Sequence, residues 1–209
     1  MEPIRYGIFI MPFHDPAKPL GQCYDEDMEL VIRADDLGFS EFWIGEHHTV
    51  TYENIVVPEI FIAAAMRETR NIRMGPAPVC LNQHHPGQVA SRISFLDHLT
   101  KGRLDLCLGA SGTESDLELY GLEPKNSAEM VEESIDMILK LWESDGPIQM
   151  EGKYWSLRIK DSLNDDLGLG AIHKPLQRPH PPIAMPVTSR NSSTAKSAGR
   201  RGFRPFSHS

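Results

Sequence analysis

Cysteine, basic charge and long apolar runs are all scarce in this chain of 209 residues. Its three cysteines match no zinc or redox spacing, which predicts free thiols in a reducing compartment. Lys and Arg number 21 against 29 acidic residues, and the net charge of −8 argues against non-specific nucleic-acid binding. No apolar run reaches the roughly 18 residues of a membrane span, and no signal peptide is recognisable. We therefore expect a soluble, cytoplasmic protein that binds neither nucleic acid nor membrane.

The chain does contain a regular alternation of short apolar segments and amphipathic helices. Six segments have the continuous apolar character of buried strands, namely residues 4–11, 42–45, 72–81, 102–109, 183–187 and 203–206. Helices are predicted to begin at Asp25, Pro58, Pro86, Asn126 and Thr194. The Asn126 helix has the pattern of a capping box with Glu129. Residues 144–181 interrupt the order as an irregular insertion, with one hairpin around residues 148–157.

This alternation predicts the α/β fold class. Repeated β–α units imply right-handed crossovers and a parallel sheet. Periodicity alone does not distinguish an open, doubly wound sheet from a (β/α)8 barrel. The chain has neither the G-x-G-x-x-G pattern of dinucleotide-binding folds nor a Walker loop.

Histidines follow two of the predicted strands. Glu46, His47 and His48 come directly after the second strand, at the end where parallel α/β folds place their ligands. An imidazole there exchanges protons near neutral pH, although structural pairing of one histidine with Glu46 fits the sequence equally well. His84 and His85 follow the third strand, but no acidic residue accompanies them at metal-ligand spacing. We therefore expect no metal site.

Two other loops have the composition of an anion site. Residues 109–113 are small or carry hydroxyls, so their backbone N–H groups are accessible to an anion. Residues 189–194 combine hydroxyls, an amide and one Arg at a predicted helix N-terminus, which favours a phosphate. Tight turns and ordinary N-capping by Asn191 or Ser192 are the alternatives. Together the loops favour a phosphorylated ligand.

Five segments occur in an order and spacing that are specific in combination, namely residues 6–9, 37–48, 72–86, 96–104 and 190–202. They resemble the luciferase-like flavin-dependent monooxygenases over nearly the whole chain. Residues 9–14 and 58–65 are most similar to the limonene 1,2-monooxygenase-like branch.

The resemblance implies a TIM-barrel fold, (β/α)8, in a single domain over residues 1–209. At 209 residues the chain accounts for about six strands, so we expect a C-terminally shortened barrel without the last βα units. The family uses reduced FMN, supplied by a separate flavin reductase, and O2 to oxygenate a small organic substrate, usually as a homodimer. Deazaflavin F420 is a cofactor alternative. A non-catalytic flavin-binding protein and a truncated inactive fragment are the functional alternatives.

The resemblance also assigns site residues by position. His47 corresponds to the catalytic histidine of the family. The expected cofactor-binding residues are Ala77, Pro78, Asn82, Gly109, Ala110, Ser111, Arg190, Asn191 and Thr194. A cis peptide bond of the family falls at Ala77–Pro78, so we predict a cis bond there. Ala110 stands where some relatives have an Arg, and Cys107 replaces a more usual Gly.

Overall fold

The computed structural model describes residues 4–189 and 192–207. Its centre is parallel β-structure. One sheet has the order β1 (Gly7–Ile10), β2 (Glu41–Ile44) and β3 (Arg73–Pro76). The second sheet begins with β4 (Val79–Cys80) and β5 (Leu106–Gly109). The two sheets are joined where Met74 of β3 pairs with Leu104, just before β5.

The remaining strands lie within and after the expected insertion of residues 144–181. Strands β6 (Ile148–Glu151) and β7 (Ser156–Ile159) form the predicted hairpin, which is antiparallel. Strands β8 (Ile183–Pro186) and β9 (Arg204–Phe206) extend the second sheet in the parallel order β4-β5-β8-β9. Each of the six predicted strand segments therefore contains a strand. The third segment is divided into β3 and β4 by a cis Ala77–Pro78 bond, which confirms the prediction made for that bond.

Six α-helices connect these strands in the described residues: α1 (Leu20–Asp36), α2 (Pro58–Glu68), α3 (Pro86–Leu99), α4 (Glu114–Leu119), α5 (Ser127–Glu143) and α6 (Ser193–Arg201). The prediction that Asp25 begins a helix was wrong, because α1 starts at Leu20. Helix α4 was not predicted. No helix in the described ranges combines the length and apolar character required to cross a membrane.

The predicted capping box at Asn126 is also wrong. The Asn126 side chain makes no capping hydrogen bond. Glu129 instead accepts hydrogen bonds from Lys153 Nζ and Tyr154 Oη at 2.6 and 2.8 Å. These contacts attach the hairpin to α5, so the acidic residue in the first turn serves tertiary packing.

Two apolar clusters hold the fold together. The larger lies between strands and helices and includes Phe42, Ile44, Ile62 and Leu106, all fully buried. The smaller lies on the opposite faces of the strands and consists of Trp43, Ala77, Cys107 and Ala184, with Phe9 and Phe206 packed against it. Burial on both faces explains why the strand segments are continuously apolar.

The smaller cluster shows that the sheet curls around an interior. The Phe206 ring of β9 lies 5.6 Å from the Phe9 ring of β1 and 5.1 Å from the Trp43 ring of β2. A Cβ on Gly75 would come within 2.6 Å of Trp43, so only glycine fits beside this ring. Strands from both ends of the order therefore face one interior, as in a (β/α)8 barrel with six strand positions present.

Candidate functional site

His47 lies just beyond the carboxyl end of β2, between two acidic side chains. Its Nε2 is 3.3 Å from Glu53 Oε2, and its Nδ1 is 3.4 Å from Asp116 Oδ2. The Thr113 hydroxyl lies 3.1 Å from the same Nδ1. The imidazole is 18% exposed, so it is held in place and still accessible from one side.

Asp116 is the fixed anion of this group. Its side chain is fully buried, and its Oδ1 accepts hydrogen bonds from the backbone N–H groups of His48 and Thr49 and from the Thr49 hydroxyl. Burial by itself would raise the pKa of Asp116, but the hydrogen bonds from Thr49 and His48 outweigh it and hold the pKa below its ordinary value. The carboxylate therefore stays ionised and anchors the loop that carries His47.

The pKa of Glu53 is shifted in the opposite direction from that of Asp116. It is 5% exposed. Burial raises the pKa of Glu53; His47 opposes the shift, and the negative charge of Asp116 adds to it. Two carboxyl groups with opposite pKa shifts thus flank one imidazole, an arrangement suited to holding and moving a proton.

Asn82 and Ser111 join the loops that follow β4 and β5. The Asn82 Oδ1 accepts the Ser111 backbone N–H at 3.0 Å, and its Nδ2 donates to Ser127 Oγ at 3.2 Å. Asn82 is fully buried. The prediction that Asn82 and Ser111 contact a flavin stays a prediction, but they already hold two loops of the rim together.

Ala77, Pro78 and Gly109 lie close to one another at the end of β5. A Cβ on Gly109 would approach Pro186 to 2.8 Å and Pro78 to 3.1 Å, so glycine is required for this packing. Ala110, the next residue, is half-buried against the larger apolar cluster. Ala77 and Gly109 are buried, and Pro78 and Ala110 are partly exposed beside them.

The predicted phosphate loop is described only in part. Arg190 and Asn191 lie outside the described residues. Thr194 Oγ1 donates to Ser192 Oγ at 3.0 Å, and the Ser192 hydroxyl accepts the Ala195 N–H and so caps α6. The capping alternative is thus confirmed for Ser192. Because β2, β5 and β8 are parallel, the start of α6 lies at the same edge of the sheet as His47.

A second cluster of polar side chains adjoins His47. Glu46 Oε1 lies 2.6 Å from His84 Nε2 and 3.2 Å from His48 Nε2, so the structural pairing of one histidine with Glu46 is present. Burial would raise the pKa of Glu46, but hydrogen bonds from His48 and His84 outweigh it and lower the pKa to about 2.

Glu53 and Asp116 were not predicted from the sequence. Glu53 lies in the long loop between β2 and α2, and Asp116 lies in α4 beside exposed acidic neighbours. Both resemble solvated surface residues in the sequence. Their burial follows from tertiary packing, for which the local pattern contains no signal.

The fold and the site together define a TIM-barrel-type α/β protein with a polar rim at the carboxyl ends of its strands. More specifically, the chain belongs to the luciferase-like monooxygenase family, whose model matches residues 4–203. Among curated relatives, 4-hydroxyprotoasukamycin monooxygenase of Streptomyces nodosus subsp. asukaensis is 41% identical over 148 residues, or 71% of this chain and 40% of that protein. Limonene 1,2-monooxygenase of Rhodococcus erythropolis is 38% identical over 66% of this chain and 36% of that protein.

A solved structure extends the similarity to the whole described fold. It is the oxygenating constituent of 3,6-diketocamphane monooxygenase of Pseudomonas putida, a type II Baeyer-Villiger monooxygenase in complex with FMN. It superimposes with a TM-score of 0.89 at 32% identity, over 97% of this chain and 56% of that chain. The chain therefore spans about half the length, or less, of the relatives it matches.

Proposed function

We propose that this chain supplies the flavin-binding rim of an FMN-dependent monooxygenase that oxygenates a small organic substrate with reduced FMN and O2. The observation that carries the proposal is His47, held between Glu53 and Asp116 at the carboxyl end of β2. The FMN in the Pseudomonas putida relative supports the choice of cofactor.

The donor groups of the rim suit FMN. Its phosphate, carrying negative charge, would lie at the N-terminus of α6, where backbone N–H groups are donors and where the Thr194 hydroxyl would turn from Ser192 Oγ to donate to it. Its ring would lie against the small side chains around Ala77, Pro78 and Gly109. When bound, reduced FMN supplies the electrons that activate O2.

The protein's own contribution is proton chemistry at His47. The contact between Nδ1 and the ionised Asp116 favours the tautomer with its proton on Nδ1. Nε2 then carries the lone pair and faces the Glu53 carboxyl, with which it would exchange a proton. His47 would hold that proton next to the substrate, and Asp116 would stabilise the imidazolium that forms.

A flavin reductase is the proposed redox partner. A relative that is 30% identical over 90% of this chain is named as the oxygenase component of flavin-dependent trigonelline monooxygenase of Acinetobacter baylyi, which supports a separate protein as the source of reduced FMN. F420 is less suitable, because the F420-dependent proteins similar to this chain are 21% and 23% identical and support the fold alone.

A homodimer is the proposed assembly. Ile60 of α2 and Phe95 of α3 are 70% and 65% exposed. These helices are neighbours joined by the Arg92–Glu59 ion pair, and Ile60 also lines an apolar groove of about 430 Å³ with Met28, Val56 and Phe61. Large apolar side chains exposed together are typical of a protein interface.

We also propose a cytoplasmic location for the chain. Cys23, Cys80 and Cys107 are all free and buried. Burial raises the pKa of the Cys80 and Cys107 thiols, which keeps them protonated and unreactive. Free thiols of this kind are typical of proteins from a reducing compartment.

Oxygenation assays test the function directly. The chain is incubated under ¹⁸O2 with chemically reduced FMN and either limonene or a bicyclic diketone, and products are detected by mass spectrometry. We expect an oxygenated product that contains one ¹⁸O atom from ¹⁸O2. Tight FMN binding without any product would support a non-catalytic flavoprotein instead.

A further inference from the structure

Glu46, His48 and His84 form a cluster that the proposed flavin chemistry does not use. Both imidazoles direct Nε2 at the same carboxylate oxygen, Glu46 Oε1. The three potential ligand atoms all lie within 4.8 Å of one another. His47, which lies between Glu46 and His48 in the sequence, points away from this cluster toward Glu53 and Asp116.

The cluster is anchored on one side and open on the other. Glu46 is 3% exposed, and its second oxygen, Oε2, accepts the Cys80 backbone N–H at 3.0 Å. The side chains of His48 and His84 are 14% and 15% exposed. The carboxylate is therefore held by the fold, and an ion from solvent can approach from the imidazole side.

Two imidazoles and one carboxylate are a donor set that suits Zn²⁺. In a tetrahedral site with bonds of about 2.1 Å, neighbouring ligand atoms lie about 3.4 Å apart. The 3.2 Å between His48 Nε2 and Glu46 Oε1 is close to that separation. The 2.6 Å between His84 Nε2 and Glu46 Oε1 has to lengthen by about 0.8 Å, a small rotation for a partly exposed imidazole.

The contact of the second ring nitrogen of His48, Nδ1, also suits an ion bound at Nε2. Its Nδ1 lies 3.1 Å from the Tyr120 hydroxyl oxygen. With a cation on Nε2, Nδ1 carries the proton and donates it in a hydrogen bond to Tyr120. Outer hydrogen bonds of this kind fix the tautomer and the orientation of metal-binding histidines.

We propose that Glu46, His48 and His84 bind one Zn²⁺ ion, with water completing the coordination. The ion ties the loop after β2 to the loop after β4. Because Glu46 and His48 flank His47 in the sequence, the bound ion restrains the backbone on both sides of His47. This site is independent of the flavin and is tested without it.

Metal content tests the proposal. The purified chain is stripped with a chelator and dialysed against Zn²⁺, and bound zinc is measured by mass spectrometry and by competition with a chromogenic chelator. We expect one zinc per chain and a higher melting temperature with zinc than without. Co²⁺ substituted for zinc should give the visible absorption of a four-coordinate site with nitrogen ligands.

Variants assign the ligands. His84→Ala should lose stoichiometric zinc, and Tyr120→Phe should weaken zinc binding about tenfold while the fold, followed by circular dichroism, is unchanged. His173→Ala is the matched control, since His173 is exposed and outside the cluster, and it should bind zinc like wild type.

Two results would overturn the proposal. One is a wild-type chain that binds neither Zn²⁺ nor Co²⁺ stoichiometrically, in which case the cluster is a hydrogen-bonded network alone. The other is a His84→Ala variant that binds zinc as tightly as wild type. If His84→Ala does not fold, the wild-type Co²⁺ spectrum and the Tyr120→Phe titration still decide the question.

Discussion

Asp116 Oδ2 lies 3.4 Å from His47 Nδ1, across the gap between α4 and the loop after β2. The same carboxylate holds Thr49 through its backbone N–H at 2.8 Å and its hydroxyl at 2.6 Å. One buried anion therefore fixes the backbone that carries His47 and the electrostatic environment of its imidazole.

Replacing His47 distinguishes its role in oxygenation from a role in FMN binding. We expect His47→Ala to lower the oxygenation rate about 10²- to 10⁴-fold, the usual contribution of a positioned proton donor or acceptor. The dissociation constant for FMN should not change, because the phosphate and ring contacts lie elsewhere on the rim. Product formation and FMN titration on the same preparation measure both quantities. An equal loss of FMN binding would contradict the assigned role.

Asp116→Asn tests the anchoring carboxylate. The amide lacks the negative charge beside His47 and offers one acceptor oxygen where the carboxylate has two. We expect a loss of about 1–3 kcal/mol in unfolding free energy and a slower reaction. Glu118→Gln, an exposed change on the same helix, is the control and should have neither effect. Denaturant unfolding measures the first quantity, and unchanged stability of Asp116→Asn would count against anchoring.

Asp35 provides a pH-dependent test of the fold. Its oxygens accept the backbone N–H groups of Arg70, Asn71 and Ile72, just before β3. Burial would raise the pKa of Asp35, but these hydrogen bonds and the charge of Arg103 hold it below its ordinary value. A lowered pKa means that the stabilisation is present above the unfolded pKa and is lost as pH falls through the folded one.

The expected result is a stability difference that depends on pH. At pH 7, Asp35→Asn should unfold with about 1–3 kcal/mol less free energy than wild type. The difference should shrink as the pH falls below about 4, the ordinary pKa of Asp. The exposed neighbouring change Asp36→Asn should have little effect at either pH. A difference that grows in acid would show that Asp35 does not act in this way.

Substitutions that place charged side chains on the exposed apolar surface of α2 and α3 test the proposed dimer. The double change Ile60→Asp and Phe95→Asp should convert a dimer into a monomer in sedimentation velocity, because each carboxylate would lose its hydration in an interface. Leu119→Asp places the same charge on another side chain, 59% exposed on α4, and should leave the dimer intact. A wild-type monomer would refute the assembly.

The parts of the fold that follow from apolar pattern were predictable from the sequence. Strands buried on both faces are continuous in the sequence, so segments such as 42–45 and 183–187 could be located. The cis Ala77–Pro78 bond was predictable from the resemblance. The packing of Glu129 was not, because a tertiary contact to the hairpin competes with local capping. The start of α1 was not either, because no side chain caps this helix at Pro19.

The candidate site was predictable only where its residues lie directly at strand ends. His47 was found for that reason. Glu53 and Asp116 reach it from a long loop and from α4, and their sequence neighbours are exposed. The convergence of His48 and His84 on Glu46 was also missed, because the sequence expectation required an acidic residue at regular ligand spacing near His84. The fold brings Glu46 there from a different strand end.

The rim at the carboxyl ends of the strands is proposed to bind FMN, with the FMN phosphate at the start of α6. Calorimetric titration of wild type and Thr194→Val with FMN, reduced FMN and riboflavin measures this binding. We expect one FMN per chain, with riboflavin and the variant each weaker by about tenfold or more, because a hydrogen bond to a charged group contributes about 1.5–3 kcal/mol. Riboflavin should bind both proteins equally. Absence of saturable binding of either FMN form, or riboflavin binding as tight as FMN, would contradict the claim.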